Sequence, residues 1–271
     1  MRRIAHLSDL HFGRTDPAAV ESLAKDISAN PPDLVVISGD LTMRARRSEF
    51  IEAKAFLDRL PAPFFAVPGN HDITAYRPIE RFVDPYRRWQ TYISKVFEPK
   101  WQDEEIALIG LNTARSMTLN WNWAHGSVSH QQMARVRSDL EVLPSNLFRI
   151  LVAHHPFMAP EGADDTRLVA RSSLALEMFS RAGANLLLSG HLHLGYRRSY
   201  ERHVEAERAG EAGPVAESIG PMIVLHASTA TSTRLRGHRN AYNLVSIDRG
   251  VLTITVREWD GGKWSDAKPS V

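Results

Sequence analysis

Cysteine is absent from all 271 residues, which removes disulfides and thiolate metal ligands together. Any bound transition metal must then be held by nitrogen and oxygen donors. No apolar run approaches the roughly 18 residues of a membrane-spanning helix, so no span is expected. Lysine is scarce, at 6 against 27 arginines, and the formal charge is only +2. Arg is the better bidentate partner for phosphate, but a charge this balanced is a weak nucleic-acid signal. Nucleic acid is therefore not favoured as a partner. No Gly/Ser- or Pro-rich linker and no internal repeat divides the chain, so residues 1–271 are expected to form a single domain. The first apolar segment begins at Arg3 and leaves no room for a signal peptide, which argues for a cytoplasmic protein.

Short apolar segments are present, rich in Val, Ile, Leu or Phe, as strands covered on both faces should be. They are Arg3–Leu7, Leu34–Ser38, Phe64–Val67, Ile106–Leu111, Ile150–Ala153 and Leu186–Ser189. Each runs straight into polar residues: Ser8-Asp9-Leu10-His11, Gly39-Asp40, Gly69-Asn70-His71-Asp72, Asn112, His154-His155 and Gly190-His191-Leu192-His193. In open α/β sheets, ligands bind beyond the carboxyl ends of strands. Asp, Asn and His are thus delivered repeatedly to one rim. Asp9 and His11 sit two apart, as do His191 and His193, so in an extended segment each pair can address one centre.

Helices are expected between the strands: Pro17–Ala29, Glu49–Leu60 stopped by Pro61, a helix capped by Ser129 and Gln132 running to Leu140, and Ser172–Arg181. After His193 the segments Leu194–Tyr200, Pro221–His226, Tyr242–Asp248 and Leu252–Glu258 read as strands without helices between them. A βα-like first part and an antiparallel last part suggest two packed sheets with helices outside. Residues 76–101 stand apart as a candidate cap or insertion, helical in the middle, and 201–220 as an exposed excursion.

The ordered set D-x-H, G-D, G-N-H-D, H-H-P and G-H-x-H, spread over residues 3–195, resembles the calcineurin-like metallophosphoesterases. The S-D-L-H and S-G-H-L-H segments are most similar to the bacterial branch that holds class III cyclic-nucleotide phosphodiesterases and glycerophosphodiesterases. The resemblance implies a four-layer α/β/β/α sandwich of two mixed sheets flanked by helices. It also implies two metal ions. Asp9, His11 and His193 would hold the first and Asn70, His154 and His191 the second, with Asp40 bridging them. A metal-bridging hydroxide would then attack a small phosphodiester such as a cyclic nucleotide. Nitrogen and oxygen donors suit Mn, Fe, Zn or Co. His71 would stabilise phosphoryl oxygens or protonate the leaving alkoxide, and Asp72 would orient His71 or its loop. His155 would support the ligands or face the substrate.

Other readings stay open at this point. Within the same superfamily they are a phosphomonoesterase, a nucleotide-sugar pyrophosphatase and a DNA exonuclease. A non-catalytic scaffold is disfavoured because every ligand position and His71 are present. Asn112 suits a turn or a substrate contact. The hydroxyl-rich stretch 226–237, ending in Arg234 and Arg236, reads as a solvated loop or as a donor set for an anion. Trp121, Trp123 and His125 suit either base stacking or burial, including burial in a homodimer interface. Tyr86, Trp89, Tyr92 and Phe97 fall near helical spacing and are expected in the core.

Overall fold

Twelve strands and six α-helices make up the computed structural model, which describes residues 1–74, 78–116, 124–201, 221–235 and 237–267. The first sheet contains β1 (Arg2–Leu7), β2 (Leu34–Ile37), β3 (Phe64–Ala66), β10 (Ala241–Asp248), β11 (Val251–Trp259) and β12 (Trp264–Asp266). Its order is β12-β11-β10-β1-β2-β3. The second contains β4 (Lys100–Gln102), β5 (Ile106–Gly110), β6 (Phe148–Val152), β7 (Leu186–Ser189), β8 (Tyr196–Tyr200) and β9 (Met222–His226). Its order is β4-β5-β6-β7-β9-β8. Both sheets are mixed: β1, β2 and β3 run parallel, as do β5, β6, β7 and β9, and the remaining pairs are antiparallel.

The sheets pack face to face through Ile4, Val36, Leu108, Val152, Leu188 and Val245, all fully buried. Helices α1 (Pro17–Ala29), α2 (Arg47–Leu57) and α4 (Arg87–Tyr92) supply residues to a second core on the outer face of the first sheet. Helices α5 (His130–Glu141) and α6 (Ser172–Arg181) do the same for the second sheet. The four α/β/β/α layers follow from strands that are apolar on both faces and must be covered twice.

The local chemistry at helix ends matches the sequence in most places. Asp16 caps α1 by accepting from the amides of Ala18 and Ala19. Ser129 and Gln132 form a reciprocal capping box on α5 at 3.1 and 2.9 Å. Helix α2 departs from expectation, spanning Arg47–Leu57 rather than Glu49–Leu60. The buried Glu49 carboxylate turns back to accept from the amides of Arg44 and Arg46, which organises the first turn earlier.

The strands after His193 also differ from expectation, because they do not form one antiparallel unit. β8 and β9 extend the second sheet, with β9 parallel to β7, whereas β10 to β12 complete the first. The chain between His226 and Ala241 crosses from one sheet to the other. The three-residue edge strands β4 and β12 were not expected, being too short and too polar to show a period. Segment 78–97 includes α3 (Pro78–Val83) and α4, and Tyr86, Trp89, Tyr92 and Phe97 pack in the core beside α2. The excursion at 202–220 lies outside the described residues. Among the described residues no helix is long and apolar enough to cross a membrane.

Candidate metal centre

The carboxyl ends of β1, β2, β6 and β7 and the turn after β3 converge on one rim. The backbone braids these ends together: Asp9 donates its amide to Gly39 O at 3.1 Å, His11 to Asp40 O at 3.0 Å, and Gly190 to His154 O at 2.9 Å. Two bonds join the sheets: the His191 amide donates to Asp9 Oδ2 at 2.8 Å, and His154 Nδ1 to Ser38 O at 2.8 Å. Five side chains of this rim stand on left-handed backbone: Asp9 (φ 52°), His11 (φ 54°), Asp40 (φ 54°), His191 (φ 84°) and His193 (φ 59°). A non-glycine residue there costs on the order of 1–3 kcal/mol, and such strain clusters at functional sites. Gly39 permits the close approach of the two sheets. At φ +97° its missing Cβ would lie 2.5 Å from His154 Nδ1.

Three side-chain groups are brought together, each with donor atoms within 4.8 Å of one another: Asp9, His11 and His193; Asp9, Asp40 and His154; and His154, His155 and His191. Their tautomers can be read from the carbonyls behind them. Nδ1 of His11 faces Thr42 O, that of His193 faces Arg234 O, and that of His154 faces Ser38 O. A carbonyl only accepts, so each Nδ1 carries the proton and each neutral ring turns an Nε2 lone pair inward.

Those lone pairs confront other acceptors. His11 Nε2 and His193 Nε2 are 3.0 Å apart, and Asp9 Oδ1, which has no hydrogen-bond donor, lies 3.3 Å from His193 Nε2. His154 Nε2 faces Asn70 Oδ1 at 3.1 Å and Asp40 Oδ2 at 3.3 Å, with His191 Nδ1 at 3.3 Å. Asp40 Oδ2 is also 3.9 Å from His11 Nε2, so this carboxylate stands between the two sets. Buried acceptors that face one another need a cation between them. The donor set therefore fits two metal ions bound through nitrogen and oxygen.

The electrostatics agree with the geometry. Burial alone would push Asp9 up, but the adjacent His11 and His193 imidazoles hold it well below the ordinary carboxylate range. Asp40 is held far below that range, because the fields of His154 and His71 outweigh its burial. Burial lowers His154, yet the adjacent Asp40 more than reverses this and raises it to about 9. Burial and the nearby His154 push His191 down to about 3.

His71 stands edge-on to His11 at 4.9 Å between ring centroids, with Nδ1 held by Met43 O at 2.7 Å. Its amide donates to Asp40 Oδ1 at 2.8 Å. Asp72 does not touch the His71 ring. It accepts from Gly69 N, Leu41 N, Thr42 N and Thr42 Oγ1, which ties the loop after β3 to the loop after β2. Burial and then Asp40 raise its carboxyl to about 7. Asn112 proves to be a turn residue: Oδ1 accepts from Ala114 N and Nδ2 donates to Tyr86 Oη.

Stretch 226–237 is a solvated loop only in its second half, where Thr233, Leu235 and Gly237 are exposed. Residues 226–232 are buried, and their hydroxyls brace the rim from behind. Thr229 Oγ1 donates to Asp9 O, Thr231 Oγ1 to Leu10 O and Ser228 Oγ to His193 O. Arg234 contributes its carbonyl to His193, while its guanidinium lies against Met43 Sδ. Arg236, Trp121 and Trp123 lie outside the described residues. Sequence reasoning missed Thr42 and Thr113, since lone hydroxyl residues carry no periodic signal, and singled out the stretch holding Thr229 and Thr231 without their bracing role.

A family model described as calcineurin-like phosphoesterase matches residues 2–195. Among curated proteins, the chain is 38% identical over 77 residues to UDP-2,3-diacylglucosamine pyrophosphatase LpxG of Chlamydia muridarum, covering 27% of this chain and 23% of that protein. It is 26% identical over 166 residues to the probable glycerophosphodiester phosphodiesterase GpdQ of Arcobacter nitrofigilis, covering 60% of this chain and 57% of that one. The match thus spans less than two thirds of either relative. Among solved structures, purple acid phosphatase PPD1 from yellow lupin superposes with a TM-score of 0.68 at 12% identity, covering 98% of this chain and 52% of that one. A dimetal phosphatase from Danio rerio superposes with a TM-score of 0.64 at 13% identity, covering 95% and 96%. These likenesses agree on the fold, and the family match takes in every candidate ligand on the rim. The chain belongs to the calcineurin-like phosphoesterase family.

Proposed function

We propose that this protein hydrolyses a small phosphodiester with the help of two metal ions. Asp9, His11 and His193 would hold one ion and Asn70, His154 and His191 the other, with Asp40 placed to serve both. The observation that carries this reading is the convergence of inward-facing acceptors, with His11 Nε2 and His193 Nε2 only 3.0 Å apart. When bound, the ions supply Lewis-acid polarisation of the phosphoryl oxygens and a lowered pKa for a water molecule. The donor set admits Mn, Fe, Zn or Co and does not choose among them.

The chain's own residues supply the rest. Met43 O fixes the proton of His71 on Nδ1, so Nε2 is the atom that passes a second proton to the leaving oxygen. The left-handed backbone and the Thr229–Thr231 brace hold the ligands in place before substrate arrives, which lowers the reorganisation cost. A diester carries one negative charge, and among the described residues no lysine belongs to the site to meet a dianion. The partial similarity to a glycerophosphodiester phosphodiesterase supports the same choice.

Similarity to a nucleotide-lipid pyrophosphatase over 77 residues favours pyrophosphate hydrolysis as the second reading. Metal content together with rates on bis(p-nitrophenyl) phosphate, p-nitrophenyl phosphate and a UDP-sugar separates the readings. A diesterase shows its highest kcat/KM on the bis ester. Preference for the monoester or the UDP-sugar would overturn the proposal.

A further inference from the structure

His155 is fully enclosed beside the candidate metal centre but is wired differently from its neighbours. Its Nδ1 faces no carbonyl. It lies 2.8 Å from Thr113 Oγ1, and the His155 amide donates to that same oxygen at 3.3 Å. Thr113 is completely buried, and the only acceptor its hydroxyl proton reaches among the described residues is His155 Nδ1. The proton accounting then has one satisfied solution. Thr113 donates to Nδ1, and the ring proton sits on Nε2. The opposite neutral tautomer would strand a buried hydroxyl proton, which burial penalises. A charged ring would also carry a proton on Nε2.

His155 Nε2 is therefore a donor, buried and without a hydrogen-bond partner among the described residues. The ring lies 4.7 Å from that of His191 and 4.9 Å from that of His154, centroid to centroid. It is also locked, because a Cβ on Gly126 would lie 2.4 Å from its Nδ1, so the Gly126 backbone is packed flush against it. A ring nitrogen of His155 is close enough to those of His154 and His191 to share a cation, and ligand spacing alone would make it a metal ligand. An N–H cannot ligate a cation, and the accounting excludes that role. What a fixed N–H beside such a centre donates to is an anion oxygen.

We infer that His155 donates a hydrogen bond from Nε2 to an oxyanion bound at the His154/His191 side of the centre, with Thr113 as the positioning residue that sets its tautomer. This rests on the phosphoester reading above, and the oxyanion class is a phosphate or phosphate ester. The test uses the zinc-loaded full chain with inorganic phosphate as probe. Long-range proton–nitrogen NMR on histidine-labelled protein should show the proton on Nε2 of His155 but on Nδ1 of His11, His154 and His193. His155→Phe should retain both metals and lose phosphate affinity by about 10- to 100-fold, the range for a hydrogen bond to a charged group. His155→Gln, which keeps a donor, should recover part of that loss. Thr113→Val should leave the metals in place and move the ring proton to Nδ1.

Four outcomes overturn the inference. An unprotonated Nε2 in the wild type removes the donor, and this measurement stands even if the Phe variant fails to fold. Loss of one metal from either His155 variant makes the residue a ligand. An unchanged phosphate Kd in the variants makes the acceptor a buried water. No shift of the ring proton in Thr113→Val leaves Thr113 without its positioning role. Wild-type protein that does not bind two metals would instead defeat the phosphoesterase reading itself, which distinguishes the two failures.

Discussion

Thr229 Oγ1 donates to the carbonyl oxygen of Asp9 at 2.6 Å, across a sequence separation of 220 residues. This bond ties the crossover between the two sheets to the first ligand-bearing turn. Thr231 does the same for Leu10 at 2.8 Å. Asp9 and His11 on either side of Leu10 adopt left-handed backbone, and those bonds help hold the strained turn shut. The candidate metal site is therefore shaped from behind as well as by the side chains that line it.

Asp40 carries the heaviest load in this arrangement, facing His154 Nε2 at 3.3 Å and His11 Nε2 at 3.9 Å while receiving the His71 amide. Asp40→Ala should lose both metals, as measured by elemental analysis after gel filtration. His11→Ala should weaken mainly one. Two tightly bound ions in Asp40→Ala would show that the carboxylate is not shared.

His71 touches no candidate ligand through its Nε2 in the hydrogen-bond network, and its Nδ1 is held by Met43 O. His71→Ala should retain both metals and lower kcat by about 10²–10⁴, the range for general acid catalysis. The loss should be greatest for an alkoxide leaving group and should shrink for p-nitrophenolate, which needs no proton. An equal loss with both esters would point to charge stabilisation instead. Full activity with full metal content would remove His71 from the chemistry.

Gly39 and Gly250 make a controlled pair. Both have positive φ, +97° and +81°, but a Cβ on Gly39 would strike the His154 ring whereas one on Gly250 meets nothing within 4 Å. Gly250→Ala should cost roughly 1 kcal/mol, the backbone penalty alone. Gly39→Ala should cost several times more and also weaken metal binding, because His154 must move. Urea unfolding of both variants checks this, and equal losses would mean that the rim relaxes freely.

His6 and His226 are buried and belong to neither candidate ligand set, and burial pushes both down to about 3 from an ordinary 6.5. Between those values the unfolded chain binds more protons than the folded one. Stability is therefore intact above pH 6.5 and falls as pH drops toward 3, by up to about 1.4 kcal/mol per pH unit for each ring. His226→Phe preserves an aromatic ring for the stack on Tyr196, 4.5 Å away, and removes one titration. Its unfolding free energy between pH 4.5 and 6.5 should have a shallower slope than that of the wild type by about one proton. An unchanged slope would mean that His226 does not titrate on unfolding.

Much of the fold and site was legible because each apolar strand is followed at once by the residue it delivers. β7 ends at Ser189, and Gly190, His191 and His193 come next; Asp40 and His154 follow β2 and β6 in the same way. Strand register needs only a local apolar run, and the ligands inherit their placement from it. The start of α5 at Ser129 was similarly readable, since its capping bond spans three residues.

What the sequence by itself determined is which residue types reach the rim and in what order along the chain. Tertiary structure alone decided that 226–232 is a buried brace, that β9 runs parallel to β7, and that Asn112 turns inward to the backbone. It also decided the tautomers, which depend on carbonyls and a hydroxyl such as Thr42 O, Arg234 O and Thr113 Oγ1, 31, 41 and 42 residues from the rings they meet. The physical reason is range. A strand or a cap is specified by neighbours a few residues away, whereas a buried hydroxyl or imidazole takes its role from whichever partner the packed sheets bring to it.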